Sequence, residues 1–140
     1  MTLLRMDNVL IVVDDLEAAK AFFVEGETQV EGPAVDSTVG LDGVRADITM
    51  LRAPDGSGRV ELSKFHSPPA VRAQPENPPS NTIGMRRIMF AVEDIDDVVA
   101  RLRTHGAELV GEMAQYEDAY RLCFVRGPEG IVIGLAEQLG

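Results

Sequence analysis

Residues 8–23, NVLIVVDDLEAAKAFF, return in pattern as residues 87–102, RIMFAVEDIDDVVARL. Aligned without gaps, Val13 meets Val92, Asp15 meets Asp94, Leu16 meets Ile95 and Phe23 meets Leu102, at a constant offset of 79 residues. Each copy reads as an apolar strand, an acidic turn and a helix. Asp15 and Asp94 stand where an N-cap carboxylate accepts free amide protons of the first helical turn. The helical spacing predicts that Leu16, Ala19, Phe22 and Phe23 are buried in the first copy. It predicts Ile95, Val98, Val99 and Leu102 in the second.

The rest of each half matches as well. APDGSGRVELSKF (53–65) and GPEGIVIGLAEQ (127–138) each run from a Pro-acidic-Gly turn into a strand. VRADITML (44–51) alternates as a strand, with YRLCFVR (120–126) as its counterpart. Each half is therefore expected to run strand, helix, strand, strand, strand. Residues 67–83 hold five of the eight prolines and read as an extended linker. The expected division is 1–66 for the first unit and 84–140 for the second, an α+β fold. One helix covers one face of a short sheet and leaves the other bare, so two such halves must pair, within a chain or between chains.

Composition narrows the function classes. The chain has 140 residues, 45% apolar and 26% charged, enough for one globular domain with a core. Acidic residues outnumber basic ones 23 to 13, for a formal charge of −10. That balance repels phosphate backbones and anionic membrane surfaces, so neither nucleic acid nor membrane is an expected partner. It also favours cationic or neutral ligands over anionic ones. A single cysteine, Cys123, excludes an internal disulfide. With no apolar run of membrane-spanning length and no signal-peptide pattern near the first residue, a cytoplasmic location is expected.

The twofold βαβββ pattern, the strand–Asp–helix openings and the two Pro-acidic-Gly hairpins resemble the vicinal oxygen chelate superfamily. That superfamily includes glyoxalase I, bleomycin-binding resistance proteins, fosfomycin resistance enzymes and extradiol dioxygenases. The resemblance implies a curved mixed sheet around a cavity, the two units forming one domain. It also implies a divalent-metal site in the metal-dependent members, with ligands at the start of the first strand and on the last strand of each half. Carried onto this chain, those positions are Asn8, Glu61, Arg87 and Gly134. Only Glu61 keeps a ligand-type carboxylate. Asn8 offers a carbonyl oxygen, Gly134 has no side chain, and Arg87 is permanently protonated.

The expectation is therefore a lost metal site, with no cofactor. Arg87 would pair with Glu61 and supply the positive charge that a metal supplies elsewhere; the other readings are two solvated residues or a weak metal site at Glu61. Met89, Tyr116, Tyr120 and Arg121 complete the expected ligand contacts. The tyrosines offer flat apolar faces with hydroxyls. Arg45, Asp47 and Thr49 share one strand face, either concave or solvated. His66 closes the Glu61 strand, and His105 ends the second helix as a dipole-compensating residue. Two functions follow from the resemblance. One is metal-independent small-molecule binding by a homodimer. The other is a glyoxalase I-like lyase or isomerase, with Glu61 as general base and Arg87 stabilising an enolate.

Overall fold

The computed structural model describes residues 3–23, 28–31, 36, 38–53, 55–72 and 76–140, with backbone alone at 28–31. Two compact units emerge, Met1–Arg72 and Ala73–Gly140. The linker expected at 67–83 begins later than proposed, because the strand before it runs on through Ser67. Its residues 73–75 lie outside the described residues.

Unit 1 runs β1 (Val9–Val12), α1 (Leu16–Phe22), β2 (Thr28–Glu31), β3 (Arg45–Arg52) and β4 (Arg59–Ser67). Its sheet has the order β1-β4-β3-β2. β1 pairs parallel with β4, and the other neighbours pair antiparallel. Unit 2 runs β5 (Ile88–Val92), α2 (Ile95–Arg103), β6 (Glu108–Leu109), β7 (Ala114–Tyr116), β8 (Tyr120–Arg126), a 3-10 turn (Pro128–Gly130) and β9 (Val132–Gln138). Its sheet order is β5-β9-β8-β6, with β7 also on β8. Again the first and last strands pair parallel. Where the described residues of unit 1 show β2, unit 2 has two fragments, β6 and β7. Gly111 lies between them, and a glycine weakens a strand interior.

Both helices start as the sequence predicts. Asp15 accepts from the Ala18 amide at 3.0 Å and Asp94 from the Asp97 amide at 3.1 Å. α1 buries Leu16, Ala19 and Phe22 and packs on β4. α2 buries Ile95, Val99 and Leu102 and packs on β8 and β9, while Val98 is half-buried at the helix edge. The matching sheet residues under the helices are Val60 and Leu62 in unit 1, and Cys123, Val125, Ile133 and Leu135 in unit 2. Each large apolar side chain so removed from water contributes roughly 1.5–3 kcal/mol. Burial also pushes the Cys123 thiol up, which keeps it unreactive.

Candidate functional site: the sheet faces opposite the helices

Side-chain alternation fixes which residues face away from each helix. In unit 1, Leu10 pairs in register with Glu61, and Glu61 with Met50. The next row is Val12, Ser63 and Ile48. Asn8 precedes β1 and, by the same alternation, shares this face with Glu61. Glu61 is half-buried, and its carboxylate accepts from the Ser63 hydroxyl at 3.4 Å. Leu10 and Val12 are each 48% exposed and Met50 37%, so the carboxylate is set in an exposed apolar surface.

The Arg45, Asp47 and Thr49 face proves to be the helix side. Thr49 pairs with Leu62 and is fully buried, its hydroxyl unpartnered among the described residues. Asp47 lies 2.8 Å from His66 Nε2. Lys64, from the same parity of β4, reaches Asp14 at 3.2 Å. His66 therefore points away from the Glu61 face. His105 is exposed beyond the end of α2.

In unit 2 the corresponding row is Met89, Gly134 and Phe124, one residue on each of β5, β9 and β8. A Cβ on Gly134 would overlap the Met89 sulfur and crowd the Phe124 ring. The bare glycine thus lets Met89 lie flat across the central strand. Arg87, exposed and just before β5, places its guanidinium 3.9 Å from the centroid of the Phe124 ring. That cation–π contact is worth about 0.5–1 kcal/mol at an exposed site. The next row, Ala91, Ala136, Leu122 and Ala114, is a low floor. Beyond it Tyr116 and Tyr120 stack with centroids 5.2 Å apart.

Of the expected contact residues, Arg87, Met89, Tyr116 and Tyr120 share this face, and Asn8 and Glu61 share that of unit 1. Glu61 and Arg87 belong to different units, and each is described among its own neighbours. Arg121 does not join the others. Its parity on β8 turns it to the helix side, where it forms a two-pronged pair with Asp96 at 2.8 and 3.1 Å. That pairing holds the Asp96 carboxyl below the usual range and raises the Arg121 pKa. Phe124 and Arg126 escaped the sequence reading. Both follow from the alternation of β8, which puts them on the face of Leu122 and Tyr120.

The four positions assigned to metal ligands thus offer one carboxylate and one amide oxygen. A resident divalent metal usually takes three or more protein donors. Among the described residues no group of three His, Cys, Asp or Glu is placed to hold one. At Gly134, a methionine thioether fills the space into which a ligand side chain would project. The residues present do not fit the metal.

The sequence model of the Glyoxalase/Bleomycin resistance protein/Dioxygenase superfamily matches residues 5–135. The chain belongs to this superfamily. It is similar to a solved glyoxalase family protein from Bacillus cereus, with 51% identity and a TM-score of 0.92, covering 100% of this chain and 97% of that one. It is 27% identical over 137 residues to the uncharacterized protein YaeR of Escherichia coli, covering 96% of each. The fosfomycin resistance protein FosX of Listeria monocytogenes shares the fold at 14% identity and a TM-score of 0.61, covering 99% of this chain and 95% of that one. Among the described residues no helix is long and apolar enough to cross a membrane.

Proposed function

We propose that this superfamily member binds small organic molecules without a metal, on the sheet faces that carry Glu61 in unit 1 and Arg87 in unit 2. The observation behind this reading is the substitution at the second pair of ligand positions. Arg87 lies on Phe124, and Met89 lies over Gly134. These two contacts put a fixed cation and an apolar thioether where donors would be needed. The faces are otherwise apolar and exposed at Leu10, Val12, Met50 and Met89, which suits a ligand body or a second copy of the chain. A homodimer in which such faces meet is part of the proposal. A single-chain mass by sedimentation at micromolar concentration would remove that part.

The test is ligand-induced thermal stabilisation across a small-molecule panel, run with and without EDTA. Binding to the native state raises the midpoint by mass action. Shifts that survive EDTA unchanged are expected. Shifts that appear only when manganese, nickel or zinc is added would overturn the reading.

A second reading rests on Glu61. Its described neighbours in unit 1 are the Ser63 hydroxyl and the apolar Leu10 and Met50, with no cation paired to it among the described residues. Such a carboxylate keeps lone pairs available to take a proton from a bound carbon acid, as a lyase or isomerase requires. Solvent deuterium entering a panel ligand, lost in Glu61→Gln while binding persists, would favour this reading over binding alone.

A further inference from the structure

We infer that the exposed face of the unit 2 sheet holds an oxyanion subsite, built from Arg87 and Arg126, for ligands with an apolar body. The inference rests on the small-molecule reading above and names the ligand class for the unit 2 part of that surface.

The placement follows from register. Ile88 pairs with Ile133, so one residue earlier Arg87 falls beside Val132, and Val132 pairs with Arg126. Arg87 and Arg126 therefore occupy one row on one face, two strand spacings or about 9.6 Å apart at the backbone. The Arg87 guanidinium crosses part of that gap, because it sits over Phe124. Phe124 is two residues from Arg126 on the same strand, about 6.8 Å along it. One cation thus lies over Phe124, and a second leaves the same strand two residues further on, its guanidinium against the Pro78 carbonyl.

Among the described residues no carboxylate pairs with Arg87 or Arg126. Arg126 gives one long bond, Nη2 to the Pro78 carbonyl at 3.4 Å, and its Nη1 is buried without a partner among the described residues. A buried N–H left unpaired is costly, and more so on a charged group. An oxyanion on this face would take the exposed donors of Arg87 and offset the like charge of Arg126. Contrast Arg121 on the same strand, which has its own carboxylate and faces the helix. Next to the cations lies the floor of Ala91, Ala136, Ala114 and Leu122, ending at the stacked Tyr116 and Tyr120. An apolar body attached to the anion would lie there. The local field of this face thus opposes the net charge of −10, and it reverses the preference for cationic or neutral ligands drawn from composition.

The experiment takes full-length protein treated with EDTA and then freed of it by gel filtration, and titrates it with sodium benzoate, isosteric benzamide and inorganic phosphate, following the side-chain Nε–H signals of Arg87 and Arg126 by NMR. Benzoate is expected to shift both signals saturably. Phosphate should do so more weakly, for lack of a body, and benzamide not at all. Arg87→Gln and Arg126→Gln should each weaken benzoate binding roughly 10-fold or more, the usual worth of a charge-assisted hydrogen bond. Arg126→Lys keeps the charge and serves if the glutamine variant fails to fold; it should retain part of the affinity. Equal binding of benzoate and benzamide, or benzoate binding that leaves both arginine signals unmoved, overturns the subsite, and the wild-type arm alone decides this. Because metal is stripped before the titration, a metal found in the untreated protein would sink the metal-free reading without changing this outcome.

Discussion

Beside the start of α1, the cross-strand pair is Asp47 opposite Lys64; beside the start of α2, at the same place in the repeat, it is Arg121 opposite Glu137. The signs are exchanged, and each unit finds its own partners. Lys64 takes Asp14 and Asp47 takes His66 in unit 1. In unit 2, Arg121 takes Asp96, and Glu137 accepts from the Ile95 amide at 2.7 Å. On the opposite face the contrast repeats. Met50 and Glu61 in unit 1 become Phe124 and Gly134 in unit 2. The backbone pattern of the repeat tolerates either sign, because it is held by the apolar side chains beneath the helices. In the proposed binding function, what a ligand meets would be set by the few side chains that differ.

If that is right, the largest effects should be equal in the two units. Leu62 and Leu135 hold equivalent places under the helices and are almost wholly buried. Leu62→Ala and Leu135→Ala should each cost roughly 2–5 kcal/mol in urea unfolding. A cost confined to one of them would break the equivalence of the two cores.

Next comes the site where the units differ. Gly134→Ala must displace the Met89 sulfur and press on Phe124, at about 1–3 kcal/mol, the usual range for overpacking. Met89 is flexible, so the double variant Gly134→Ala with Met89→Ala should recover part of this loss. Additive single effects in the cycle would show that Met89 does not fill the space at Gly134. The equivalent Glu61→Ala in unit 1 leaves Ser63 without its acceptor and should show no coupling of that kind.

Legibility divides along the same line. The repeat and both caps were readable because they depend on spacing and on apolar side chains, which carry their own signal. Asp15 and Asp94 are the plainest example. The residue types at Arg87 and Gly134 were legible at once, but that these are ligand positions came from the family resemblance alone. The direction of Arg121 was not read, although its parity with buried Cys123 already pointed to the helix. Nor was the Arg87–Phe124 stack, since a contact two strands away needs the sheet order β5-β9-β8. The splitting of the second strand around Gly111 left only a weak mark, because fragments of two and three residues have no periodicity.

Smaller effects belong to the caps. Asp15→Ala and Asp94→Ala should each cost about 0.5–2 kcal/mol. Asp94→Ala should fall nearer the low end, because Glu137 also accepts from an amide of the first turn of α2. The smallest effects are the swapped ion pairs. Lys64 holds the Asp14 carboxyl low, with a lesser contribution from Arg72, as Arg121 holds Asp96 low. A carboxylate with a depressed folded pKa stabilises above its unfolded value, near ~3.9, and loses that contribution as pH falls through the folded value. Lys64→Gln and Arg121→Gln should thus be less stable than wild type at neutral pH. Unfolding followed across the acid range should show that difference closing below about pH 4. A difference that persists unchanged into acid would assign it to packing of the long side chains instead.

If, as proposed, side-chain contacts in the second unit stand where a metal site would be, elemental analysis of protein purified without added metal or chelator tests this most directly. No stoichiometric zinc, nickel, iron or manganese is expected, and no loss of thermal midpoint on adding EDTA. About one tightly held metal per chain, removed by EDTA with a fall in the midpoint and absent from Glu61→Ala, would contradict it.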